Sequence, residues 1–368
     1  MSEVRFGRCG YTLTHERTTV QPEQSTIVPD DGDEIRFHHQ GPVARIVLNR
    51  PKALNALTTS MIAQLHRALD EWEENPGTAV VLESSSPKAF CAGGDIRQIR
   101  QNTVAGVYGD SDDFFASEYR LNARIAELTT PLVSLIDGVC MGGGMGLSVH
   151  GAFRVVSDKA VLAMPETAIG FFPDVGGSYF LSRLPGALGM YLGLTGYRLD
   201  AADAVYTGLA THRVTDVAFV VSALEENPQT PVDEVLRSLP PAAPTATSRL
   251  AEHRCEIDWC FSAPSVSEIH SRLRDHHSSW SRETLAVLDS ASPQSLEVTF
   301  AVLTAGKQRN LRRCLKMELD VATHLARTPD FVEGVRAGLV DKDRSPVWGE
   351  SLFGGFDAGG SSVWHRLP

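Results

Sequence analysis

Apolar residues change their spacing along this chain at about residue 225. Ahead of that point, short apolar runs alternate with amphipathic stretches. Val43-Ala44-Arg45-Ile46-Val47-Leu48 has the alternation of a strand or hairpin arm within the segment from Ile35 to Leu48, closed by Asn49-Arg50-Pro51. Thr58 or Thr59 then caps a helix in which Met61, Ile62, Leu65, Leu69 and Trp72 recur on one face. Ala79 to Leu82 is a short apolar run and Leu132-Val133-Ser134-Leu135-Ile136 a mainly apolar one, as expected of buried strands. Strand and helix patterns keep alternating to about Val214, which predicts an α/β fold class.

Past Leu224 the pattern shifts. Residues 226–248, with Pro240-Pro241-Ala242-Ala243-Pro244-Thr245, read as a proline-rich connection. Helical periodicity dominates 249–348, in Ser265 to Leu273, Ser295 to Leu303 and Leu311 to Leu325. The last of these predicts an inward stripe of Leu311, Leu315, Leu319, Val321 and Ala322. Residues 349–368 are rich in glycine and serine and read as a flexible tail. Residues 1–33 are polar and aperiodic, and read as a loose leader.

Composition narrows the function classes. With 42% apolar and 21% charged residues, 368 residues can bury one large core, or one domain and a smaller one. No stretch has the length of a membrane span, and no secretory signal pattern is present. The leader intersperses Arg5, Arg8 and Arg17 with Glu3, Glu16 and Glu23, a poor transit peptide, so a cytoplasmic location is expected. Six scattered cysteines, with Cys255 and Cys260 the closest pair, indicate neither a zinc site nor a disulfide framework. A net charge of −11 argues against bulk nucleic-acid binding, so an anionic ligand must rely on local basic groups and backbone amides.

Candidate chemistry begins with glycine. Met141-Gly142-Gly143-Gly144-Met145-Gly146 lies between the strand pattern at Leu132–Ile136 and the apolar stretch from Leu147 to Val156. Phe90-Cys91-Ala92-Gly93-Gly94-Asp95 forms a second junction of the same kind. Each alone reads as a tight turn. Together they suggest two backbone amides converging on one oxygen. Other constellations fail. Gly146-Leu147-Ser148-Val149-His150 ends in histidine where a nucleophile elbow needs glycine, and neither register of the glycine run completes G-x-G-x-x-G. No P-loop lysine or H-E-x-x-H occurs, and the twelve histidines are scattered, so no metal site is expected. Downstream, Met164-Pro165-Glu166-Thr167-Ala168-Ile169-Gly170-Phe171-Phe172-Pro173-Asp174-Val175-Gly176-Gly177 sets two acids in an apolar stretch. They read either as a helix cap and a turn acid or as working carboxylates.

Longer strings carry a family resemblance. Asn49-Arg50-Pro51-Lys52-Ala53-Leu54-Asn55-Ala56-Leu57, Ala92-Gly93-Gly94-Asp95 and the run from Gly138 to Gly146 resemble the crotonase (enoyl-CoA hydratase/isomerase) superfamily, over about Ile35 to Val214. Met164 to Gly177 and Cys260-Phe261-Ser262-Ala263 are similar to its 3-hydroxyisobutyryl-CoA hydrolase subgroup. So is Asp330-Phe331-Val332-Glu333-Gly334-Val335-Arg336-Ala337, continuing through Asp341-Lys342-Asp343-Arg344-Ser345-Pro346. The resemblance covers nearly everything except the leader and the tail. It implies a crotonase-like spiral of ββα turns over 34–225 that carries the CoA site. It also implies a helical C-terminal region that covers the site and helps homo-oligomers assemble. By position, the amides of Gly94 and Gly143 hold the thioester oxygen, with Gly142 beside the substrate. Lys52, Ala53, Leu54 and Ala92 line the CoA channel, Lys52 reaching toward a phosphate or ribose. Glu118, in Ser117-Glu118-Tyr119-Arg120-Leu121-Asn122, stands where the subgroup has a substrate-contacting acid, and Glu166 and Asp174 are the subgroup's catalytic acids. The partner implied is an acyl-CoA small molecule. No cofactor beyond the CoA of the substrate, no metal, no nucleic acid and no membrane enters.

Position 146 separates the chemistries the resemblance allows. The hydratases of this superfamily carry a glutamate there as one of a carboxylate pair, because hydroxide is a poor leaving group and needs a proton delivered as well as removed. Here that position is Gly146, while Glu166 is kept. A thiolate of pKa about 8.5 leaves without strong acid help. An oxyanion hole, one carboxylate and a water therefore suffice for thioester hydrolysis. The expected activity is hydrolysis of a short 3-hydroxyacyl-CoA, 3-hydroxyisobutyryl-CoA above others, as in valine catabolism. Glu166 acts as nucleophile or general base, and Asp174 orients the 3-hydroxyl or the water. The alternatives are an enoyl-CoA hydratase/isomerase that draws its second acid from Asp174 or Glu118, and a non-catalytic acyl-CoA binder.

Overall fold

Consecutive turns of the chain deposit one strand in each of two sheets. The computed structural model describes residues 33–39, 41–240 and 247–349. The leader expected over 1–33 and the tail expected over 349–368 lie outside the described residues, apart from Asp33 and Gly349. The strands are β1 (Ile35–His39), β2 (Val43–Leu48), β3 (Ala79–Ser84), β4 (Ala89–Cys91), β5 (Leu132–Ile136), β6 (Val139–Met141), β7 (Phe153–Val156), β8 (Val161–Ala163) and β9 (His212–Arg213). The larger sheet runs β1-β2-β3-β5-β7-β9 and the smaller β4-β6-β8. Among the described strands only β1 and β2 pair antiparallel. The pairs β3/β4, β5/β6 and β7/β8 are successive steps of the ββα spiral that the resemblance implies.

Period-two alternation gives the larger sheet two buried faces. Ala44, Ile46, Leu48, Val80, Leu82, Leu132, Ile136 and Val156 enter the main core. Val43, Ala79, Val81, Val133, Leu135 and Val155 enter a second one. Helix α1 (Thr59–Glu74) closes over the first face, and Thr58 caps it by accepting from Met61 N at 3.0 Å. Helices α2 (Ile96–Val104), α3 (Gly109–Glu127) and α4 (Gly143–Val149) follow strands β4 and β6.

After β8 the chain turns helical. It builds α5 (Gly177–Phe180), α6 (Leu188–Thr195), α7 (Ala201–Thr207), α8 (Ala218–Glu226) and α9 (Val232–Ser238). It continues with α10 (Arg249–Glu252), α11 (Arg254–Phe261), α12 (Val266–His276), α13 (Ser279–Ser290), α14 (Pro293–Gly306), α15 (Leu311–Leu325) and α16 (Pro329–Val335). The segment read as a connection over 226–248 contains α9. Its Val232, Val235 and Leu236 seal the second core despite the surrounding prolines.

Helix α15 has the bounds its periodicity predicts, but a different buried face. Leu311 and Leu319 are half-buried, while Cys314, Met317, Glu318 and Leu325 join Leu315, Val321 and Ala322 inside. The helix touches α3, α5 and α14, which widens its covered face beyond one stripe. Helix α16 lies against the turn Glu166–Ile169. A Cβ on Gly170 would strike the Asp330 carbonyl, and one on Gly334 would strike the backbone of Ile169. The main core takes in residues from the strands of the spiral and from helices as far as α16, so spiral and helices share one interior.

Candidate active site

Parallel pairing of β4 with β6 sets Cys91 beside Cys140, so the two glycine junctions leave the small sheet at the same edge. Leu57 N donates to Gly93 O at 2.8 Å and Asp95 N to Leu57 O at 2.9 Å, which straps the first junction flat. The Gly94 and Gly143 amides then converge. A Cβ on Gly143 would lie 3.3 Å from Gly94 N, and one on Gly93 would lie 3.6 Å from Gly143 N. Among the described residues neither N–H donates to a backbone or side-chain acceptor.

Two acids press on this glycine run, and a third lies in the loop that follows the second. Glu118 on α3 brings Oε1 against the Cα of Gly143. Glu166 opens the turn after β8, and its Oε1 lies 2.8 Å from where a Cβ on Gly142 would stand. Asp174 follows in the next loop, where Tyr119 OH donates to its Oδ2 at 2.6 Å. All three are buried. Burial, reinforced by the Asp174 charge, pushes Glu118 and Glu166 well above the usual carboxylate range. Burial also raises Asp174, but the Tyr119 hydroxyl and its own backbone favour its anion and hold it at about 7. Glu118 Oε1, Glu166 Oε2 and both amide atoms of Asn122 have no hydrogen-bond partner among the described residues. Buried polar atoms without partners are rare in a finished interior, and here they gather where a ligand would supply them.

Gly146 has no spare room. A Cβ there would come 2.7 Å from Val175 Cβ and 2.9 Å from Asn122 Nδ2. Helix α3 thus lays Glu118 and Asn122, one turn apart, on the glycine face of α4.

The residues expected along a CoA channel are more exposed than the acids. Lys52 and Leu54 are exposed and Ala53 is half-buried, on and after the short 3₁₀ turn Pro51–Ala53. Ala92 N donates to Leu54 O at 3.0 Å, which joins this turn to the Gly94 junction. Asn55 fixes the turn from inside, accepting from Arg50 N at 2.8 Å and donating to Phe90 O at 2.9 Å. Beside the junction opens a cavity of about 570 Å³ lined by Arg50, Leu57, Thr58, Asp95 and Phe114 among others.

Sequence reasoning did not single out Tyr119, Asn122 or Glu318, and set His150 aside with the failed nucleophile elbow. His150 Nε2 donates to Val175 O at 2.8 Å, and burial lowers its imidazole to about 4, so it stands neutral. Glu318, on α15, accepts from Gly176 N at 2.6 Å, from Ser178 N at 2.8 Å and from Ser178 Oγ. Burial raises it to about 8 against those donors. The signal available for Tyr119 and Asn122 was their place beside Glu118 on one helix.

A family model described as enoyl-CoA hydratase/isomerase matches residues 43–357. The chain belongs to that family. It is 46% identical to the mitochondrial 3-hydroxyisobutyryl-CoA hydrolase of Xenopus tropicalis, over 94% of this chain and 90% of that one. It is 43% identical to the Homo sapiens protein of the same name, over 87% and 85%. Among solved structures, an enoyl-CoA hydratase from Rhodobacter sphaeroides 2.4.1 superposes with a TM-score of 0.79 at 38% identity, covering 86% of this chain and 92% of that one. Both the family and the crotonase fold are thereby shown. The cytoplasmic location expected from the leader is overturned, since these relatives are named as mitochondrial.

Proposed function

We propose that the chain hydrolyses the thioester of a short 3-hydroxyacyl-CoA, 3-hydroxyisobutyryl-CoA first among them, a step of valine breakdown. The observation that carries this reading is the filled space at Gly146, where Val175 and Asn122 stand in the path of any side chain. A water-adding enzyme of this family keeps a carboxylate at that position. This site keeps two converging amides, Glu166 and Asp174, a set sufficient for acyl transfer to water. The relatives at 46% and 43% identity carry the hydrolase name, whereas the solved hydratase is more distant at 38%.

In this reading the Gly94 and Gly143 N–H groups hold the thioester oxygen as it gains charge. Ionised Glu166 attacks the carbonyl carbon or takes a proton from the water that does. The C–S bond breaks, CoA leaves as thiolate, and water supplies the new C–O bond of the acid product. Asp174 orients the 3-hydroxyl or the water, and Glu118, pressed on Gly143, contacts the acyl group. The Pro51–Leu54 turn and Ala92 border the CoA chain. The scheme draws on no metal and no cofactor beyond the CoA of the substrate.

The test pairs two substrates. With 3-hydroxyisobutyryl-CoA and a thiol reagent, free thiol appears, while crotonyl-CoA keeps its enoyl absorbance. Loss of that absorbance without thiol release would instead establish a hydratase, and silence in both assays a binder. A pH profile examines Asp174 separately. Tyr119→Phe removes the hydroxyl that favours the Asp174 anion, so its pKa climbs above about 7 and the acid limb of the rate profile moves to higher pH. An unmoved limb in an active variant would take Asp174 ionisation out of the rate.

A further inference from the structure

The Asp174 loop is held in an unfavourable shape. Val175 has φ of 50°, a left-handed conformation that a β-branched residue rarely adopts, and Gly176 continues it at 87°. Such a backbone persists only where its surroundings over-determine it. From the spiral, His150 donates to the Val175 carbonyl, and Tyr119 binds Asp174 itself. From the helical region, one carboxylate gathers the two N–H groups and the hydroxyl that follow Val175. That carboxylate is Glu318, wholly buried on α15. Each of these three groups can donate, so Glu318 accepts from the loop that follows Asp174.

We propose that Glu318 is a positioning residue. By clamping Gly176 and Ser178 it fixes the Val175 backbone and, one residue earlier, the direction of the Asp174 carboxylate. The inference rests on the role given to Asp174 above. It makes α15 part of the working site and not only its cover. A small misplacement of a reacting or orienting group can cost on the order of 10²-fold in rate. Substrate affinity, which depends largely on the CoA portion far from this loop, changes much less.

The experiment compares kcat, KM and the thermal midpoint of Glu318→Gln, Ser178→Ala and Glu166→Gln on 3-hydroxyisobutyryl-CoA. Gln keeps the volume of Glu318 but turns an NH2 toward one of the donors, breaking that contact. The expected result is a kcat lower by about tenfold or more with KM within about threefold, a split that marks loss of an interaction made in the transition state. Ser178→Ala, which removes only the hydroxyl donor, lowers kcat by less in the same pattern. A folded Glu318→Gln with undiminished kcat overturns the proposal, as does a loss confined to KM. If Glu318→Gln does not fold, Ser178→Ala decides alone, and an unchanged kcat there is equally fatal. Should Glu166→Gln also keep its rate, the reading of the whole site falls. If only the Glu318 and Ser178 variants keep theirs, the positioning role alone is lost.

Discussion

Glu166→Gln is expected to lower kcat for thioester hydrolysis by about 10³-fold, within the range of lost acid–base groups, in a protein that still folds. Glutamine fills the same space against Gly142 but neither attacks a carbonyl nor accepts a proton from water. The substitution also has a thermal signature. The folded state raises the Glu166 pKa well above its ordinary value through burial and the neighbouring Asp174 and Glu118 charges. The folded protein therefore holds a proton that the unfolded chain releases, and stability is lost as pH rises above the ordinary glutamate range. Gln has no proton to lose. The variant should melt with the parent near pH 4 and above it at pH 8, as measured by thermal unfolding at both pH values. A variant that retains most of its rate would remove Glu166 from the mechanism.

Gly143→Pro is expected to reduce kcat by about 10²–10³-fold, the cost of one missing oxyanion-hole donor. Gly143 stands first in α4, where proline's fixed φ and missing N–H are tolerated, so the helix itself survives. A side chain at this position also displaces Glu118 Oε1, and Gly143→Ala supplies the control because it does the same while keeping the N–H. Comparable kcat losses in the two variants would assign the effect to Glu118 and withdraw the amide. A much deeper loss in the proline variant isolates the donor.

The parts of this site legible in the sequence were those whose residue types are out of place. Acids in the apolar run from Met164 to Gly177, and glycines at two strand ends, attract notice because burial or close approach must be explained. The spiral was legible through resemblance and through short apolar runs such as Leu132–Ile136, buried along its whole length. Glu318 was not legible, because a glutamate on an amphipathic helix reads as its solvated face. Its burial follows from donors at Gly176 and Ser178, which only the fold brings to α15. Helix α13 was missed for a related reason. Its buried residues include Ser281 and Thr284 beside Trp280 and Leu288, so no apolar stripe announces it. Helix α9 was hidden by flanking prolines that stop a helix but do not forbid a short one.

The crowding at Gly146 limits how this protein's chemistry can change by mutation. Placing an acid there requires Val175 and Asn122 to give way, and Val175 sits in the strained loop that follows Asp174. The first substitution alone collides, and the second alone loosens a strained loop. Single-site libraries screened for hydratase activity will stall at this pair, and directed evolution toward it has to vary positions 146 and 175 together.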